Sequence, residues 1–300
     1  MLPPIVAAVD GSVESLAAAE WAAREALRRE RPLRLVHAWN WHPRRPEQEI
    51  ANAAQRHLAR RVLRQATDRI RATYPRVRLD DRQVEGPATT ALLNAAEEAE
   101  LLVLGSRGLS GFTGLLVGSV ALGVVAKATR PVALVRAGEE AEDEHLPADD
   151  GSASTGTGNR DVVLGIDLGD PCDEVIEFAF EAARLRGARL KVVHAWQAPP
   201  PLALGPGEIG LVSAPEREEE WHGFLSAVLQ AWREKYPEVD VVESVTEGTA
   251  RGALVRAATG AGLLVVGHRL TGRPTVPRTG PVTHAVIHHA GCPVAVVPHQ

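Results

Sequence analysis

The sequence predicts an α/β protein built from two repeated, doubly wound parallel-sheet domains, each with five strands, four helices and strand order 3-2-1-4-5. Three observations carry this. First, the chain repeats itself. VHAW stands at 36–39 and again at 193–196, an offset of 157, and VAAVDGS (6–12) resembles VLGIDLG (163–169) at the same offset. Further on the offset becomes 162: EGPATTAL (85–92) pairs with EGTARGAL (247–254), LLVLGSRG (101–108) with LLVVGHRL (263–270), and RPVALVR (130–136) with CPVAVVP (292–298). Five ordered matches broken by one insertion of five residues (162 − 157) mean a duplicated unit. Second, short apolar runs alternate with helical patterns in each copy. Third, those runs are continuous rather than alternating, the signature of parallel strands covered on both faces.

In the first copy the strands read PIVAAV, LRLVHAW, VRLDDRQV, ELLVLG and PVALVR, with helices over about 13–29, 47–73, 88–98 and 118–128. Ser12 precedes VESLAAAEWAAREAL as an N-cap, and Pro87 opens the third helix near its first turn. The last strands, PVALVR and PVAVVP, fall at sheet edges, and an apolar edge needs covering. Pairing them across a pseudo-two-fold axis gives one ten-stranded sheet, an intramolecular pseudo-dimer; a homodimer of whole chains is a further expectation. The insertion falls in the second copy, within QAPPPLALGPGEIG (197–210). Domain 1 is read as 1–137 and domain 2 as 161–300. Between them GEEAEDEHLPADDGSASTGTGN is acidic, then Gly/Ser/Thr-rich, without apolar periodicity, and 138–160 is read as a flexible linker.

Three hundred residues suit two domains, and 45% hydrophobic with 24% charged residues exclude general disorder. No apolar run reaches the roughly 20 residues of a membrane span, and MLPPIVAAVDGS lacks the basic start of a signal peptide. A cytoplasmic protein with neither membrane nor nucleic-acid partner is expected. The positive excess of residues 1–137 (20 Lys+Arg against 14 Asp+Glu) is spread along helical stretches, which fits a solvated face better than a nucleic-acid footprint. Cys172 and Cys292 offer neither a disulfide framework nor a metal knuckle.

In doubly wound sheets ligands bind beyond the strands' carboxyl ends, where strand order reverses. After the fourth strand comes GSRGLSGFTGLLVGSV, whose glycines Gly105, Gly108, Gly111, Gly114 and Gly118 lead to Ser119 at a helix start. Such a loop offers unpaired backbone N–H groups to phosphates, with Ser119 as cap and hydroxyl donor; a mobile loop with a Ser cap is the plainer reading. It is neither a Walker A loop nor a dinucleotide fingerprint. After the first strand stands Asp10, able to hold ribose hydroxyls or a divalent cation, or simply to cap a turn.

These residues resemble the universal stress proteins, in their tandem-domain, ATP-binding form, over both copies. That family's nucleotide motif is Gly-x2-Gly-x9-Gly-Ser/Thr, and Gly105, Gly108, Gly118 and Ser119 match it at every position. The resemblance implies an adenine nucleotide alpha hydrolase-like fold and binding of ATP, with magnesium carried on its phosphates, in stress response or signalling rather than dedicated catalysis. It implies that Ala8, Val9 and Asp10 line the adenosine, with Asp10 near the ribose or metal, and that Ala38 faces the adenine. It places Leu104, Gly105, Arg107 and Gly108 along ribose and phosphates, with Gly118, Ser119 and Val120 holding the phosphates. A solvated loop charge is the other reading of Arg107. A slow ATP hydrolase or nucleotidyl-transfer enzyme and a ligand-free scaffold are the competing functions; no general base with a partner stands out.

The second copy departs from the motif. Asp167, Gly267 and Gly280 are kept, but Leu270 replaces the middle glycine and Pro281 the Ser/Thr. A Leu side chain blocks close backbone approach, and Pro removes an N–H and a hydroxyl. One intact and one degenerate site are therefore expected, with Arg269 or Arg273 as replacement phosphate donors. His37 and His194 read as packed strand-end residues. His284 and His288 form an i, i+4 pair able to chelate a metal on a helix, without an evident third ligand.

Overall fold

The computed structural model describes residues 2–39, 46–106, 117–197, 214–270 and 279–300. The first copy runs β1 (Ile5–Ala8), α1 (Val13–Arg28), β2 (Leu33–Trp39), α2 (Pro46–Thr73), β3 (Leu79–Glu85), α3 (Ala88–Glu97), β4 (Leu101–Ser106), α4 (Ser119–Val125) and β5 (Val132–Arg136). The second repeats the plan as β6 (Val162–Gly165), α5 (Asp173–Arg186), β7 (Leu190–Trp196), α6 (Ala214–Lys235), β8 (Val241–Glu247), α7 (Ala250–Ala257), β9 (Leu263–Arg269), α8 (Pro281–His289) and β10 (Val294–His299). Ser12 caps α1, its hydroxyl accepting from the Ser15 amide at 3.2 Å.

All ten strands join in one sheet, ordered β3-β2-β1-β4-β5-β10-β9-β6-β7-β8. Pairing is parallel within each half and antiparallel at the centre, where Val294, Ala295 and Val296 face Leu134, Ala133 and Val132. The continuous apolar strands follow from this, because both sheet faces are covered. Ile5, Ala7, Leu101, Val103, Ala133 and Val135 look toward α1 and α2, whereas Val6, Leu102, Leu104, Val132 and Leu134 look toward α3 and α4. The central two-fold relation brings α5 and α6 to the α1–α2 face and α7 and α8 to the other.

The segment between the copies is folded, which corrects the expectation of a flexible linker. A 3-10 turn at Ala141–Glu144 begins it, and His145 bridges Asn159. The Arg160 amide donates to the Glu144 carbonyl at 2.8 Å and the Leu146 amide to Gly158 at 2.8 Å. Glu144, 2% exposed, ion-pairs with Arg24 at 2.8 Å and with Arg28 on α1. Beside it Arg186 of α5 reaches Glu25 of α1 at 2.7 Å, tying the copies together through a buried pair. Polar composition hid this order: the segment buries two carboxylates, Glu139 and Glu144, near arginines rather than an apolar face.

Candidate functional site

In the first copy the register Ala7↔Val103 sets β1 beside β4, so Asp10 and Ser106 leave the sheet at the same carboxyl edge. Strand order reverses there, with β2 on one side of β1 and β4 on the other. Asp10 Oδ1 accepts from the Ser12 amide at 2.9 Å and the Ser12 hydroxyl at 2.5 Å. Partial burial opposes ionisation, but the two Ser12 bonds, a Ser15 bond and the field of His37 outweigh it and hold the carboxyl below its usual range. Gly11, at φ +88°, makes the turn that lets Ser12 fold back. His37 Nδ1 lies 2.6 Å from the Val9 carbonyl, fixing the end of β2 against that of β1. Asp10 thus acts as a turn residue, with Oδ1 taken up by Ser12.

The other expected residues divide. Val9 (2% exposed) and Leu104 (3%) are core side chains, so only their backbone faces the crevice. Ala8 and Ala38 are half-buried at the strand ends, and Val120 is exposed on the first turn of α4. A Cβ on Gly105 would stand 2.6 Å from the Glu14 backbone carbon, so this glycine lets α1 pack on β4. Gly118 is different: its φ is −59° and, among the described residues, nothing lies within 4 Å of where its Cβ would be. Gly118, not Ser119, is the N-cap of α4, with no side-chain capping bond; Ser119 is the exposed first helical residue. Arg107, Gly108, Gly111 and Gly114 lie outside the described residues, as does Arg273.

The second copy holds a cavity of about 550 Å³ at the ends of β6, β7 and β9. Its apolar walls include Leu164, Val193, Leu254 and Val266, and it is rimmed by Asp167, Asp170, Arg269 and His299. Helix α5 starts at Asp173, three positions beyond where the offset from α1 places it (13 + 157 = 170). Residues of the added turn, Gly169, Asp170 and Cys172, line the opening. Asp167 Oδ1 accepts from the Gly169 amide at 3.0 Å, and Arg269 forms an ion pair with Asp170. The Leu270 amide donates to the His299 carbonyl at 2.7 Å, which spends the N–H at the substituted glycine position. Gly280 caps α8 as Gly118 caps α4, with nothing within 4 Å of its Cβ position among the described residues, and Pro281 takes the first helical position. The Thr283 hydroxyl donates to the Gly267 carbonyl at 3.1 Å.

His194, 5% exposed, holds Nδ1 3.2 Å from the Ile166 carbonyl, and its Nε2 is buried without a partner. Its ring lies 4.8 Å from that of Trp221. Reading His194 as a packed strand-end residue was right for its place, but not for the nitrogen it leaves unsatisfied beside a cavity. Asp170, Thr283 and His299 had no signal in the motif: they enter through an extra turn, a helix start and a longer last strand. The His284 and His288 rings stand 4.4 Å apart, and among the described residues no group of three or more His, Cys, Asp or Glu is placed to hold a metal. Among those residues, too, no helix is long and apolar enough to cross a membrane.

The sequence profile of the universal stress protein family matches residues 1–136 and 158–298. A universal stress protein of Mycolicibacterium smegmatis is 32% identical over 308 residues, covering 98% of this chain and 96% of that protein. One from Mycobacterium tuberculosis H37Rv is 32% identical over 303 residues, covering 97% and 96%. A solved universal stress protein from Archaeoglobus fulgidus superposes with a TM-score of 0.73 over 99% of both chains at 17% identity, a likeness of fold. Two copies of one doubly wound unit, joined through their last strands and matched separately by one family profile, make this chain a tandem member of the universal stress protein family.

Proposed function

We propose that the first copy (1–137) binds an adenine nucleotide, ATP, at the carboxyl ends of β1 and β4, and that this binding serves a role in stress response or signalling. In this reading the copy at 161–300, whose site is degenerate, binds ATP weakly or not at all. Gly118 carries the proposal. Among the described residues neither a positive φ nor a close neighbour requires a glycine there, which leaves room for a ligand at the start of α4. The spacing Gly105-Gly108-Gly118-Ser119 and family membership point to phosphate as that something. Asp10 suits the accompanying magnesium: it is exposed at the carboxyl edge of β1, and its carboxyl is held below its usual range and so stays ionised. A single carboxylate fits an ion that arrives on phosphates and keeps its water shell.

Calorimetry on nucleotide-stripped protein tests this. ATP should bind with a stoichiometry near one per chain. Gly118→Val, which puts a branched side chain in the open space, and Asp10→Ala should each weaken binding by about 1–3 kcal/mol, or roughly 5- to 150-fold. Unchanged affinity in both variants removes the case for this site, and two equivalent sites per chain contradict the asymmetry.

A further inference from the structure

We propose that a cavity at the junction of the two copies is a binding site for a short primary aliphatic amine, whose ammonium group pairs with Glu139. The inference goes beyond the nucleotide reading and does not depend on it.

The cavity, about 300 Å³, stands at the small end of ligand sites. It lies where β5 runs out, from Arg136 to Glu139, against the loops that enter β9 (Gly260, Ala261) and β10 (Gly291, Cys292). None of its lining residues belongs to the crevice at β1 and β4. Glu139 forms part of the wall and is 8% exposed. Among the described residues no hydrogen bond or ion pair reaches its carboxyl, yet its oxygens are not sealed off from the cavity. The polar groups around it are engaged elsewhere. Arg136 Nη2 donates to the His288 carbonyl at 3.1 Å, and Arg160 Nε to the His145 carbonyl at 2.7 Å. Asp143 Oδ2 accepts from the Glu140 amide at 2.9 Å. A buried carboxyl with open space beside it and no partner is costly, and a ligand donor that fits removes the cost.

The surroundings favour a cation as that donor. Helices α7 and α8 both end in the loops that line the cavity, and helix carboxyl ends attract positive charge. The charged groups near Glu139 are Arg24 of α1, Arg136 of β5 and Arg160 against Asp143 and Glu144, with the Cys292 thiol beside them. At Glu139 the two acids outweigh Arg24 and Arg136, and with burial they push its carboxyl up to about 8. At neutral pH the carboxyl therefore carries a proton where a cation can stand. An ammonium group replaces it: the carboxyl O–H proton leaves to solvent, and an ammonium N–H donates to the carboxylate. An anion would gain two guanidiniums but meet Asp143 and two helix carboxyl ends. Ala137 and Ala261 line the same space, and its volume holds a short alkyl chain.

The probe is n-butylamine, ionised like a lysine side chain across the range used, and n-butanol is its uncharged match. Calorimetry on nucleotide-stripped full-length protein, in phosphate-free buffers of different ionisation enthalpy, reads affinity and proton release together. Between about pH 6 and 7 each bound butylammonium should release about one proton, and affinity should rise about tenfold per pH unit. The rise should level off above about pH 8, where Glu139 is already ionised. Glu139→Gln should abolish the proton release and weaken binding at about pH 8 by at least about tenfold, as loss of a charged partner does. Equal affinity for n-butanol, tighter binding of inorganic phosphate than of butylammonium, or binding without proton release overturns the proposal. So does parent affinity in Glu139→Gln. If that variant fails to fold, proton release and the butanol comparison on the native chain still decide. Gly118→Val should lower ATP affinity at the first copy and leave butylammonium binding intact, so the two readings fail separately.

Discussion

Gly105 and Gly118 belong to one motif and answer different demands. Gly105 exists for the fold, since an added Cβ would sit 2.6 Å from backbone that cannot give way. Gly105→Ala should therefore cost about 2–4 kcal/mol, as overpacking against rigid neighbours does, and lower the denaturant midpoint. Gly118→Ala should leave the unfolding free energy within about 0.5 kcal/mol, as surface changes away from packed features do. The reverse order of stabilities would show that the motif's glycines have been sorted wrongly. Glu139 is the other residue whose surroundings set its chemistry. It is 8% exposed, and burial, then Asp143 and Glu144, push its carboxyl up to about 8 against the pull of Arg24 and Arg136. Between its ordinary value of 4.5 and about 8, the folded chain holds a proton that the unfolded chain has released. Stability contributed at this site therefore falls as pH rises through that window and levels off above it, with a slope of at most about 1.4 kcal/mol per pH unit. Glu139→Gln should remove the slope, leaving the variant more stable than the parent at pH 8 and little different at pH 4.5. Parallel pH–stability curves for the two proteins would refute this.

At the scale of elements, the junction segment shows how a polar stretch can be ordered. Glu144 sits between Arg24 and Arg28, its carboxyl held low by those guanidiniums and by Arg186 despite burial. A buried pair adds little net stability when intact, but removing one partner strands the other charge. Glu144→Gln should destabilise the chain by about 3 kcal/mol, on the scale of breaking a buried ion pair. It should also make the segment after Glu144 an early site of limited proteolysis. A variant as stable and as protease-resistant as the parent would mean that the segment's backbone bonds, not this carboxylate, hold it down. The delayed start of α5 is the second element-scale feature. In the first copy Gly11 turns straight into α1, but its counterpart is Leu168, 2% exposed in the core, so the chain needs the turn at 169–172 before a helix can begin. That detour supplies Asp170 and Cys172 to the second cavity.

For the whole molecule, the seam between β5 and β10 converts two half-sheets with apolar edges into one. Val132 and Leu134 are 1% and 2% exposed there, and Val294 and Val296 3% and 2%. The outer edges are blunted otherwise: β3 ends the sheet with the exposed charges Asp80, Asp81 and Arg82. Amides of Val132–Val135 and Val294–Val297 should accordingly be among the slowest to exchange with deuterium, opening only with global unfolding. Rapid exchange at the seam, with slow exchange in β1 and β4, would show two independent domains in loose contact.

Strand–helix alternation, the repeat and the apolar character of every central strand were legible by themselves, because parallel β structure buried on both faces writes its burial directly into local composition. The same holds for the elements' bounds in the first copy and for the pairing of PVALVR with PVAVVP, since an exposed apolar edge has few other solutions. The carboxyl-end positions of Asp10 after β1 and of Gly118 and Ser119 at the start of α4 were legible for the same local reason. Non-local contacts decided the rest. That Gly105 serves packing depends on Glu14, ninety-one positions earlier (105 − 14). The order of the junction depends on arginines of α1, and the second cavity on a helix start, a longer β10 and an ion pair between Asp170 and Arg269. Leu270 and Pro281 show in the sequence where the second copy departs from the motif. Only the folded chain brings His194, Thr283 and His299 around one cavity, because they come from three elements far apart in sequence.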